Sequence, residues 1–106
     1  MLAEQITPTV SLVVQLVAKP ETADEVHTFL AEAVELANQE RGTIVWFALR
    51  TDQTTFWIVD AFCSDRDRQA HLDGPIAAAL LANAARLLDA PPAILPAEVL
   101  AAKLPR

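Results

Sequence analysis

The stretch TIVWFALRTDQTTFWIVDAFC, residues 43–63, decides the fold. It holds two apolar runs, 43–50 and 55–63, rich in β-branched and aromatic residues and each of strand length. The polar segment around Asp52-Gln53 that separates them is short, so the natural pairing is an antiparallel hairpin. Successive strand residues face opposite ways. Phe56, Ile58 and Phe62 therefore oppose Trp57, Val59, Ala61 and Cys63, and Ile44, Trp46 and Ala48 oppose Val45, Phe47 and Leu49. Both faces of the hairpin are apolar. With a two-residue turn, Trp46 and Trp57 would share one of them.

Upstream, TVSLVVQLVA at 9–18 reads as a further strand buried over much of both faces. Lys19-Pro20 ends it, because proline donates nothing to a ladder. Thr22 offers a helix N-cap with Glu25 as its capping-box partner. Val26, Phe29, Leu30, Ala33, Leu36 and Ala37 follow at helical spacing, and Gly42 is expected to close the helix in a left-handed conformation. Downstream, Ser64 can cap the short helix SDRDRQAHLD, and Gly74-Pro75 starts another with Ile76, Leu80, Ala84, Leu87 and Leu88 on its apolar stripe. Pro91-Pro92 closes that helix, and EVLAAKL at 98–104 is the expected last strand. The order β-α-β-β-α-β, with its second helix broken, predicts an α+β, ferredoxin-like split βαβ domain over residues 1–106, with a four-stranded antiparallel sheet and helices on one face.

Composition then bears on assembly. The chain has 106 residues, 53% of them hydrophobic and 21% charged. Helices cover one sheet face only, so the second apolar face is expected to pack against a second copy, sheet to sheet, as a homodimer. The alternative is a monomer whose bare face is coated by ligand or membrane. Eight Lys and Arg against fourteen Asp and Glu give a net charge of −6 with no basic stripe, which argues against nucleic acid and anionic membrane surfaces. The N-terminal MLAEQITPTV lacks the charge pattern of a signal peptide, no apolar run reaches membrane-spanning length, and the expected location is cytoplasmic.

Once these elements are placed, FWIVDAFCSDRDRQAHLDGP at 56–75 resembles the strand–helix signature of the antibiotic biosynthesis monooxygenase family. Asp60 stands at the acidic position, Phe62 at the aromatic one, and Ala70-His71-Leu72 at the helix end; GTIVWFALRTD at 42–52 resembles the preceding strand. The resemblance implies the dimeric α/β barrel, two ferredoxin-like units joined by their sheets, with a pocket between sheet and helices in each subunit. It also implies an oxygenase that uses no metal, flavin or haem cofactor. An electron-rich phenolic substrate loses a proton, its anion passes an electron to dioxygen, and the radical pair recombines in a water-excluding cavity.

Such chemistry needs a base, a substrate-oxygen donor and an apolar lining. His71 is the base candidate, since imidazole titrates near ~6.5; otherwise it merely stabilises the end of its helix. Asp60, a carboxylate in an apolar strand, requires a partner. It either orients His71 or forms an ion pair with Arg50, Arg66 or Arg68. Trp46, Phe62, Trp57 and, on the long helix, Asn83 are the substrate-binding candidates. His27 is read as solvated and Cys63 as a small buried hydrophobe. One cysteine and two distant histidines give no metal-ligand spacing, and two glycines give no phosphate-cradling loop. The helix IAAALLANAARLL offers no axial histidine for haem, and the absence of tyrosine removes a phenol donor that some family oxygenases use. The expected function is a monooxygenase acting on a quinol- or anthrone-like aromatic. The alternatives are a non-catalytic dimeric module that binds a small apolar ligand, or a scaffold.

Overall fold

A computed structural model describes residues 7–105. The reading of the first six residues lies outside them. The elements are β1 (Val10–Val17), a 3-10 turn (Pro20–Thr22), α1 (Ala23–Asn38), β2 (Thr43–Arg50), β3 (Thr55–Phe62), α2 (Asp65–Leu72), α3 (Pro75–Leu87) and β4 (Ala93–Glu98). All strand pairs are antiparallel, in the order β2-β3-β1-β4. This is the ferredoxin-like α+β arrangement that the hairpin and the upstream helix predict. Among the described residues no helix is long and apolar enough to cross a membrane.

The core lies between the sheet and its helices. Leu12, Val14 and Leu16 of β1 and Phe56, Ile58 and Phe62 of β3 meet Val26 and Leu30 of α1 and Leu80 and Leu87 of α3. A second cluster, Ala33, Ala37 and Ile76, joins α1 to α3, and Trp46 packs against both clusters. On the opposite face Phe47 is 56%, Leu49 47% and Leu95 55% exposed. Register brings Phe47 beside Val59, Leu49 beside Trp57, and Val13 between Val59 and Leu95, so the uncovered face is a continuous apolar band.

Several local expectations are corrected. Thr22 does not cap α1 with its side chain; its hydroxyl donates to the carbonyls of Lys19 and Leu87, and Glu25 instead meets Arg86 at 2.7 Å. Gly42 does not have a positive φ. It is glycine because α2 comes too close for a side chain: a Cβ there would lie 2.8 Å from Asp67 Cγ. Trp46 and Trp57 occupy opposite faces. Arg50 pairs with Phe56, leaving an odd number of residues between them, and the sheet places Trp46 opposite Asp60 but Trp57 opposite Leu49. The last strand is AILPAE at 93–98 rather than 98–104. Its Pro96 is tolerated because β4 is an edge strand. Cys63 is half-buried, just past the end of β3.

Candidate functional site

His71 is positioned by a short polar helix that folds for local reasons. Ser64, in extended geometry, accepts a hydrogen bond from Asp67 N at 3.1 Å, and Asp65 and Asp67 occupy the first turn, where the helix dipole favours acids. Arg68 ties α2 to the sheet by donating to the carbonyls of Ser11 (3.2 Å) and Ala97 (3.3 Å). One turn later His71 points inward, 7% exposed, with its ring 5.3 Å from that of Phe62.

The imidazole lies between two carboxylates. Nδ1 is 2.6 Å from Glu40 Oε1, and Nε2 is 3.3 Å from Asp60 Oδ2, an ion-pair contact rather than an aligned hydrogen bond. Asp60 is 1% exposed; its Oδ1 accepts from Leu12 N at 3.0 Å, and its carbonyl accepts from the Ser11 hydroxyl. Glu40 follows the C-terminus of α1, with its side chain 17% exposed. Its Oε1 also accepts from the Thr43 hydroxyl at 2.7 Å, while Oε2 is buried without a hydrogen-bond partner among the described residues. Burial is the largest single influence on His71 and pulls its pKa down. The Asp60 and Glu40 carboxylates together outweigh it and hold the imidazole above its ordinary value.

Both glycines of the chain serve this junction. Gly42 lets α2 approach the α1–β2 turn, and at Gly74 an added Cβ would come within 3.2 Å of Glu40 Oε2. Beside His71 opens a recess of about 170 Å³ lined by Glu40, Arg41, Thr43, Asp67, Ala70 and His71. The two carboxylates approach opposite edges of the imidazole rather than one point, and no metal-holding group of three acids, histidines or cysteines occurs among the described residues.

The structure thus brings together His71, Asp60 and Phe62 among the residues singled out by sequence, and places Trp46 across the strand pair from Asp60. Trp46 Nε1 is buried without a partner among the described residues. Asp60 meets the histidine rather than Arg50 or Arg68, whose guanidinium groups bind backbone carbonyls elsewhere. Trp57 is apart from this group, on the bare sheet face, with its indole N–H donating to Thr51 at 2.9 Å. Asn83 is apart too. It lines an open groove of about 420 Å³ between α1 and α3, where it donates to Ala79 O and accepts from Arg86. The core fills the space between the sheet and α1 and α3, and the recess beside His71 opens at its edge, between the α1–β2 turn and α2.

Glu40 was missed by sequence reasoning. One signal was available: an acid sits unfavourably at the negative end of a helix, so a glutamate just beyond α1 calls for a cationic partner.

The family profile described as antibiotic biosynthesis monooxygenase matches residues 9–83, which include Glu40, Asp60 and His71. Among solved structures, the NE2512 protein of unknown function from Nitrosomonas europaea is 51% identical, with a TM-score of 0.93, covering 96% of this chain and 99% of that one. Rv0793 from Mycobacterium tuberculosis is 16% identical with a TM-score of 0.80, covering 89% and 97%. PA3566 from Pseudomonas aeruginosa is 18% identical with a TM-score of 0.76, covering 92% and 100%. These last two likenesses speak to fold alone. No curated protein matches the chain. A profile match over most of the sequence, on the fold just described, means that this chain belongs to the antibiotic biosynthesis monooxygenase family.

Proposed function

We propose that this protein is a cofactor-independent monooxygenase that oxidises a quinol- or anthrone-like aromatic with dioxygen, and that it works as a homodimer of the dimeric α/β barrel type. The observation that carries the chemical part is the buried Asp60–His71–Glu40 array at the edge of a recess. Buried charges are costly, and apolar residues of the same volume would serve stability as well or better. Retaining three titratable groups at one point is what proton handling requires. In the reaction the substrate hydroxyl gives up its proton to the array. The resulting anion transfers one electron to dioxygen, and the carbon radical and superoxide combine to a peroxide. Return of the proton gives the hydroperoxide, and loss of the hydrogen on the same carbon with cleavage of the O–O bond then releases water and leaves a carbonyl. The Asp60–His71–Glu40 array handles the proton, and Phe62 and Trp46 form the apolar backing behind it.

Oxygen uptake measured with a panel of hydroquinones and anthrones tests this. Turnover above the buffer rate with at least one compound is expected; rates at the buffer level throughout refute the oxygenase. The second copy covers the band containing Phe47, Leu49, Trp57 and Leu95, an exposed apolar area that calls for a partner surface. Light scattering on the eluted protein should give about twice the 11.5 kDa chain mass.

One observation favours the alternative of a non-catalytic module that binds a small apolar ligand. The recess of about 170 Å³ is smaller than the ~300–1,000 Å³ usual for ligand pockets. Saturable hydroquinone binding without any oxygen consumption would establish that reading instead.

A further inference from the structure

We propose that Glu40 is the proton-accepting residue of the recess, with His71 and Asp60 as positioning residues behind it. What the proton is accepted from rests on the aromatic-substrate reading above; the placement of Glu40 does not. A neutral imidazole has one N–H and one lone pair, and needs the lone pair free to act as a base. Here each ring nitrogen faces a carboxylate, Nδ1 toward Glu40 and Nε2 toward Asp60. Both nitrogens are most favourably donors, so the ring sits as an imidazolium and has no lone pair to offer. Asp60 is sealed in the core, with no exposed side-chain surface. Glu40 is the outermost of the three and lines the recess.

The surroundings of Glu40 fit that role. Oε1 accepts from Thr43 and faces His71 Nδ1, which orients the carboxylate, and Oε2 is buried beside Gly74 with lone pairs that no donor among the described residues uses. The charged groups around it come from every element packed there: Arg41 on the same turn, Asp67 and His71 on α2, and Asp60 on β3. The site is acceptor-rich, with one guanidinium on its rim. The ligand class that suits it is a small neutral hydroxyl compound, such as a single-ring phenol. Its O–H bond breaks, the proton passes to the Glu40 carboxylate, and the phenolate is left near Arg41.

The test uses the full chain and hydroquinone as probe. In ¹⁵N NMR at pH 7 both His71 ring nitrogens should carry protons, and the His71 midpoint should lie above the ordinary ~6.5. Glu40→Gln keeps the acceptor for Thr43 and should lower that midpoint. Hydroquinone should shift the amide signals of Thr43 and Ala70, and E40Q should weaken its binding about tenfold, the loss of one charge-assisted hydrogen bond. Glu40→Asp should recover part of the affinity. An unprotonated His71 nitrogen in the wild type overturns the proposal, as does undiminished binding by E40Q. Hydroquinone that does not bind, or that shifts Leu49 and Trp57 instead, also overturns it. Binding as expected without oxygen uptake would remove the oxygenase reading and leave Glu40 in place.

Discussion

Replacing Asp60 with alanine separates the structural from the chemical demands on the buried array, and its cost can be worked from the contacts. The substitution removes the acceptor of the Leu12 amide, leaving a buried N–H unsatisfied, which costs about 1–3 kcal/mol. It also removes one of the two counter-charges of His71. Breaking a buried pair costs about 3–5 kcal/mol, here moderated because Glu40 still holds Nδ1. The combined expectation for Asp60→Ala is a loss of about 3–5 kcal/mol. Unfolding entropy for a chain of this length makes each kcal/mol worth about 4–5 °C, so the midpoint should fall by roughly 12–25 °C. Asp60→Asn is the informative control. Its carbonyl oxygen still accepts from Leu12, and its shape is unchanged. His71 can then turn neutral and accept from the new amide, so the cost should be about 1–2 kcal/mol. Urea and thermal melts at pH 7, all at one chain concentration because dissociation of the proposed dimer would couple to unfolding, give both values. A loss below about 1 kcal/mol for Asp60→Ala, or equal losses for the two variants, would refute the assignment of Asp60 as a buried partner of both His71 and Leu12.

Two further outcomes follow from the same contacts. The folded state holds the His71 pKa above its unfolded value of about 6.5, so the stability this contributes is fully present below that pH and is lost as pH rises through the folded value. Melting temperature should therefore decline across that alkaline-side window in the wild type and not in His71→Gln; parallel curves for the two proteins would contradict it. Gly42→Ala places a Cβ 2.8 Å from Asp67 Cγ and 2.9 Å from Asp67 Cβ, too close to the backbone of α2 for a side-chain swing to relieve. It should cost about 1–3 kcal/mol by calorimetry, and a change within about 0.5 kcal/mol would show that α2 does not press on this turn.

How much of this was legible in sequence depends on the range of the interaction concerned. Strand alternation is local, so the two apolar faces of β3 could be read directly and are found as read. The Ser64 cap and the Gly74-Pro75 helix start are likewise encoded within four residues of where they act. The faces of the two tryptophans depended on an assumed turn length, and one residue of difference in that loop reverses the answer. The last strand was hidden because Pro91, Pro92 and Pro96 speak against a strand in general, and only its edge position removes the objection. Asp60 and His71 were both recognisable as groups in need of an explanation. Their pairing was not, since three arginines offered the same charge. Arg50 fails as a partner because it lies opposite Phe56, four residues along β3 from Asp60, which at about 3.3 Å per residue is roughly 13 Å away. Glu40 lies 31 residues before His71, and no local pattern connects them.

The same carboxylate that the site requires also bears on how the sheet finds its register. In most antiparallel sheets an apolar face and a polar face make a one-residue slip costly, because every side chain would change sides. In β3 that safeguard is weak, since Trp57, Val59 and Ala61 are as apolar as Phe56, Ile58 and Phe62, whereas β1 keeps its polar Ser11 and Gln15 on the uncovered face. Asp60 is the one charged residue in β3, and β1 has none. In the observed register its Oδ1 meets Leu12 N, its carbonyl meets the Ser11 hydroxyl, and its Oδ2 faces His71. A slip of one residue would carry the carboxylate onto the bare apolar face, away from all three, and would set Val59 or Ala61 against the imidazole. The hydrophobic pattern makes a two-faced sheet suited to packing against a second copy, and in β3 it leaves the two faces nearly degenerate. The buried acid lifts that degeneracy, so the residue that costs β3 stability is also the one that tells its two faces apart.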